Sequence, residues 1–190
     1  MSMYCRVTLL LCLMVNFAIP SGQAAGLGSW FGKKSEAHKA RALHEKVEDA
    51  IARFKKEDPG IQRFFEDSVG YVVFPRVVKA GIGFGGAMGK GELYEGGELL
   101  GYSTMTQATV GFQFGGQSYI EIIFFDQKDA LKDFKNGTLE FGAQVSAVAL
   151  TVGASDNASF DQGLAVFTLE RGGLMYEATL GGQVFTYTPK

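Results

Sequence analysis

Val78-Lys79-Ala80-Gly81-Ile82-Gly83-Phe84-Gly85-Gly86 sets apolar residues against glycine in a two-residue alternation, and the fold follows from how this stretch is read. Its glycines satisfy a G-x-G-x-x-G pattern, which cradles a pyrophosphate only when a strand leads through it into a helix. Here strand-like sequence continues on both sides, so the glycines belong to a curved hairpin, where they serve bends and close backbone approach. The neighbouring Gly89-Lys90 is no phosphate loop, because Phe84 stands where its first glycine should be and Gly91 where Ser or Thr is needed.

The same alternation recurs outward from this block. Val69 to Phe74, Gly81 to Met88, Glu98 to Thr106, Val110 to Phe114, Ser118 to Phe125, Leu139 to Val148, Leu164 to Leu169, Met175 to Leu180 and Val184 to Tyr187 all read as short strands. No long helical pattern separates them, which excludes βαβ units and predicts a mostly antiparallel barrel or sandwich. One short helix is expected within it, N-capped by Asp126, running to about Phe134 and stopped by Asn136-Gly137. The 26 glycines among 190 residues are about twice ordinary usage, and the curved sheet accounts for them.

Upstream, the period changes to three and four. Ala40, Leu43, Val47, Ala50, Ile51 and Phe54 form one narrow apolar stripe on a helix predicted from Ser35 to Glu57, with Asp58-Pro59-Gly60 as its stop. The fold class expected is therefore α+β: an N-terminal amphipathic helix, a glycine-rich β domain and one short inserted helix. Charge is sorted along the chain. Residues 33–63 hold nine basic and six acidic residues (9 − 6 = +3), whereas 64–190 hold eight and fourteen (8 − 14 = −6). The net charge of −2 removes the broad positive field that nucleic-acid binding needs.

The first residues read as a secretory signal peptide: Arg6 before an apolar run from Val7 to Ile19, then small residues, with cleavage after Ala24 leaving Gly22 and Ala24 at the small positions. The run is too short to span a bilayer as a helix. The layout expected is a signal peptide over 1–24, a linker and amphipathic helix over 25–63, and a β-rich domain over 64–190 that forms one globular unit with the helix. Both cysteines, Cys5 and Cys12, fall in the signal segment, so a thiolate metal site, a disulfide or a cysteine nucleophile is not expected in the mature chain. The two histidines, His38 and His44, are six apart and face different sides of a helix, which rules out an i, i+4 ligand pair. Gly116-Gln117-Ser118 lacks the closing glycine of a nucleophile elbow. Asp126, Asp129 and Asp133 can share one side of a short helix, but a hard cation needs six or more oxygens and Lys128 and Lys132 compete, so they read as caps and a solvated face. No catalytic residue, metal or cofactor is expected.

The basic helix is the positive candidate. Lysines and arginines beside an apolar stripe suit an anionic membrane surface. Trp30 and Phe31, next to Lys33-Lys34 in a glycine-rich stretch, have the character of an interfacial anchor. On the residues alone, packing of the helix on the β domain and contact with a membrane both stand open.

The chain from about Lys39 onward resembles the SYLF, or Ysc84-type, lipid-binding domain family. The residues that carry the likeness are Gly70-Tyr71-Val72-Val73-Phe74-Pro75, Val78 through Gly86 with Gly89-Lys90-Gly91, Val110 through Gln117, and the closing Gly173-Leu174 and Gly181-Gly182. Gly101-Tyr102-Ser103 stands where many members have Trp-Ser followed by proline, and Gln144 replaces an acidic residue. The resemblance implies binding of anionic phospholipid headgroups without catalysis. With the signal segment, it implies a bacterial envelope protein, periplasmic and peripherally membrane-associated, to which actin partners are not transferred. The lipid-binding residues expected are Lys33, Lys34, Lys39, Arg41, Lys46, Arg53, Lys55 and Lys56, with Trp30 and Phe31 for insertion and Lys79 and Lys90 as a second set. Two other readings remain: a carrier enclosing an apolar or acyl ligand in the β domain, and an envelope structural or protein-interaction module.

Overall fold

A computed structural model describes residues 24–139, 148–149 and 154–190, of which 24–33, 111–113, 148–149 and 173–181 are described by backbone alone. The order is α1 (Ala24–Glu57), a 3-10 turn (Pro59–Ile61), α2 (Gln62–Asp67), β1 (Gly70–Glu95), β2 (Glu98–Phe125), α3 (Lys128–Asn136), β3 (Val148–Ala149), a second 3-10 turn (Ser155–Asn157) and β4 (Leu164–Pro189). The architecture is α+β. The described residues from His38 onward form one compact unit, and those before it belong to another.

The short strands of the sequence reading merge into three long ones. β1, β2 and β4 run 26, 28 and 26 residues, because hydrogen bonding continues through the glycines and the bends are taken up as register shifts at Phe74/Val77, Ile82/Phe84 and Ser118/Tyr119. Among the described residues they make one open sheet in the order β1-β2-β4-β3, with β3 parallel to β4 and the other pairs antiparallel. This sheet is neither a closed barrel nor a two-sheet sandwich. It is instead strongly curled, and the glycines permit the curl: a Cβ on Gly91 would strike the Val73 carbonyl and the Phe74 ring of the same strand. Gly96 and Gly97, at φ 58° and 84°, make the two-residue turn from β1 to β2.

Curling creates two cores. Val72, Phe74, Val77, Leu93, Met105, Ile123, Phe125 and Phe185 fill the inside of the curl together with Leu131 and Phe134 of α3. On the outer face of the sheet, Val47, Ala50 and Phe54 of α1 and Phe64 of α2 pack against Val73, Ile120, Ile122, Phe124 and Phe167. Of the helical stripe expected from sequence, Val47, Ala50 and Phe54 are thus covered by the sheet and Leu43 and Ile51 partly so, while Ala40 lies beyond this contact. Asp58, buried at the end of α1, accepts from the amides of Gly60 at 3.1 Å and Ser155 at 2.7 Å, fixing the turn that directs the chain into α2.

Several boundaries differ from the sequence reading. Among the described residues α1 reaches back to Ala24, past the Ser35 start expected from sequence: no proline interrupts residues 26–32, and glycine weakens a helix by about 1 kcal/mol without forbidding it. Gln127, not Asp126, holds the N-cap position of α3, because its carbonyl accepts the first helical bond, from the Leu131 amide at 3.2 Å. Gly137 ends α3 at φ 69°, as its glycine predicts. The signal segment, apart from Ala24, and most of the strand expected over Leu139 to Val148 lie outside the described residues.

Candidate anion-binding cleft

Lys46, Asp49, Arg53 and Lys56 recur at intervals of three and four on α1, so they share the face beside the buried stripe. They line a cleft of about 400 Å³ whose apolar part is Ala50, Ala52 and Ile120 and whose far wall carries Arg171. Arg171 owes its place to a bulge: Ser118 pairs with Gly172 and Tyr119 with Glu170, leaving Arg171 as the extra residue on β4. Its Nη1 donates to the Pro75 carbonyl at 2.8 Å, and Pro75 itself lies in the register shift of β1. Four cations therefore face one carboxylate around an apolar floor. Such an arrangement suits a phosphate-bearing group carrying attached hydrocarbon.

The structure brings together only part of the residues expected from sequence. Lys46, Arg53 and Lys56 meet in the cleft. Lys55 turns the other way, with Nζ 4.6 Å from the Phe65 ring centroid. Arg41 is exposed, 3.8 Å from Glu45, and Lys34 and Lys39 are also exposed. Trp30, Phe31 and Lys33 lie in α1 but outside the residues whose side chains are described. Lys79 is buried and Lys90 exposed; alternation sets them on opposite faces of β1, so they do not form one site. Sequence reasoning missed Arg171. The available signal was its isolation as a basic residue between Lys135 and Lys190, directly before Gly172-Gly173.

A second polar cluster joins α1 to β1. His44 Nδ1 lies 2.9 Å from Glu92 Oε2, and Tyr94 donates its hydroxyl to the same oxygen at 2.6 Å. Glu92 is fully buried, and its hydrogen bond holds the His44 pKa above the ordinary histidine value. Among the described residues no cluster of three His, Cys, Asp or Glu is placed to hold a metal, and no helix is long and apolar enough to cross a membrane.

A curled glycine-rich sheet with a helix laid on it and cations at their junction has the character of a binding fold. Residues 106–189 match the Ysc84 family model, described as Las17-binding protein actin regulator. A curated relative, Beta cell expansion factor A of Aeromonas veronii, is 25% identical over 149 residues, covering 76% of this chain and 55% of its own length. The chain thus spans about half the length of that relative. The resemblance to the SYLF (Ysc84-type) family is shown by these matches, and the family model takes in the second glycine block and the closing glycines.

Proposed function

We propose that this chain is a non-enzymatic lipid-binding protein of the cell envelope, secreted across the inner membrane and held peripherally on anionic phospholipid. The observation that carries the reading is the cleft where Lys46, Arg53, Lys56 and Arg171 face the lone carboxylate of Asp49. The association of the matched family with lipid or actin binding supports it. The mode differs from simple insertion of an amphipathic helix. Val47, Ala50 and Phe54 are spent on the sheet, so this part of α1 offers its charges while its apolar stripe stays covered. Trp30, Phe31, Lys33 and Lys34 remain part of the proposal as an N-terminal anchor. A carrier role is less favoured, because Phe74, Phe134 and Phe185 fill the curl with ring centroids 5.1–5.9 Å apart.

Co-sedimentation with phosphatidylglycerol and with phosphatidylcholine vesicles tests the proposal. Binding should be selective for the anionic vesicles and weaken with salt. Charge reversal at Lys46, Arg53 and Lys56 together should reduce it on the order of 100-fold, from about 1 kcal/mol per cation near the surface. Undiminished binding by the triple variant would remove the cleft from the reading. Binding to actin filaments in place of vesicles would turn it toward the other association of the family.

A further inference from the structure

The outer face of the sheet does not stop where α1 stops covering it. Along β2, Phe124, Ile122 and Ile120 point under the helix layer. The same alternation continues through half-buried Ser118 to exposed Gly116 and Phe114. The bare face is apolar: Ile82 is 75% exposed, Phe84 78%, Phe114 67% and Met88 62%, with Val78, Val110 and Val184 also exposed. Register gathers them, since Ile82 pairs with Phe114, Phe84 with Val110, and Thr106 stands between Met88 and Val184. Large apolar side chains gathered on one exposed face mark an interaction surface.

The charge pattern says what covers it. Ala80–Gly89 of β1 and Ser103–Ile120 of β2 contain no charged residue, and Gly172–Pro189 of β4 contains only Glu177. Ile120 belongs to both regions, as floor of the cation cleft and as the last covered residue before the bare face. At ~3.3 Å per residue, Phe114 lies about 20 Å along the strand from it. An uncharged apolar face bordered by a cation cluster matches a bilayer with anionic headgroups, apolar face to acyl chains and cations to phosphates. A second copy of the chain docked face to face would meet this surface with the same uncharged strands and would leave the cation cleft without an anion opposite it.

We propose that this bare sheet face, centred on Ile82, Phe84, Val110 and Phe114, is the surface that enters the acyl-chain boundary of an anionic bilayer while the adjoining cleft holds headgroups. The proposal rests on the lipid-binding reading and adds to it the element that inserts. Immersion is interfacial: among the described residues the outer edges of β1 and β4 are unpaired over this stretch, and open edges do not occur in the hydrocarbon core.

The test places a tryptophan probe on the face, Phe84→Trp or Phe114→Trp, each in a Trp30→Phe background of the full chain, and titrates phosphatidylglycerol vesicles. Blue-shifted emission quenched by lipids brominated on the acyl chain is expected at both positions. Replacing Ile82, Phe84 and Phe114 by serine should leave the fold intact, because these side chains are exposed, and should weaken vesicle binding by roughly ten-fold or more. What binding remains should be strongly salt-sensitive. Salt-sensitive sedimentation of the parent chain without any emission shift would overturn the insertion while leaving the lipid reading in place. Sedimentation with neither vesicle type would end both. Self-association abolished by the serine variant, with no response to vesicles, would assign the face to a second copy.

Discussion

Glu121 is the residue whose chemistry is most out of keeping with its surroundings. It points into the curl of the sheet, 1% exposed, with one oxygen accepting from Gln183 Nε2 at 3.2 Å and the other without a partner among the described residues. Burial raises its pKa to about 7, the bond from Gln183 acting weakly the other way. An acid whose pKa is higher folded than unfolded binds its proton more tightly in the fold, so stability falls as pH rises from about 4.5 to about 7. The cost of the charged form is on the order of 3 kcal/mol. Glu121→Gln should accordingly raise stability at pH 8 and flatten the profile across that window, measured by urea unfolding at several pH values. An unchanged profile would remove Glu121 as its source. Nothing in the sequence singles this residue out: Glu121 sits at an ordinary inward position of an alternating strand, and only the curl reveals that the inward side is closed. Lys46, Arg53 and Lys56 were legible because helical spacing is local, whereas Arg171 reaches them through a bulge that sequence does not display.

α1 was legible as an element because its stripe repeats over several turns, and the stripe is what the sheet covers. Its start was not legible, since a serine cap in sequence cannot be told from a serine within a longer helix. The polar tie between α1 and β1 was hidden too. The six-residue spacing from His38 gives His44 no helical ligand partner, and the residues it meets, Glu92 and Tyr94, lie on β1. Because the fold raises the His44 pKa, chiefly through the bond to Glu92, the tie is fully present below about 6.5 and is lost as pH climbs through the raised value. His44→Ala leaves Glu92 buried with Tyr94 alone and should destabilise the fold by about 1–3 kcal/mol at pH 6. The loss should shrink by pH 8. Thermal unfolding at the two pH values checks this, and an equal loss at both would show that packing alone is at stake.

The antiparallel character of the molecule followed from the period of its glycine-flanked runs, but the number of strands did not. Sequence counts each glycine as a break, while the backbone pairs straight through it, and the curl depends on distant halves of one strand meeting, as Gly91 meets Val73. The long register has a kinetic consequence. β1 and β2 can zip from the Gly96-Gly97 turn as a local hairpin, but β4 joins β2 only across a long loop, as in the bond from the Tyr187 hydroxyl to the Leu100 carbonyl, 87 residues apart at 3.2 Å. Until β4 arrives, one entire edge of β2 is an unclaimed template for any other extended chain, on a ribbon that already bears Ile82, Phe84 and Phe114. Refolding yield after dilution from denaturant should therefore fall steeply as protein concentration rises. The aggregate should be rich in intermolecular strand, read by infrared spectroscopy; a yield independent of concentration would mean that β4 docks before strangers can. A chain that must wait so long for its own last strand is timed to fold late, and whatever shields the hairpin in the interval decides how much protein survives to reach the folded state.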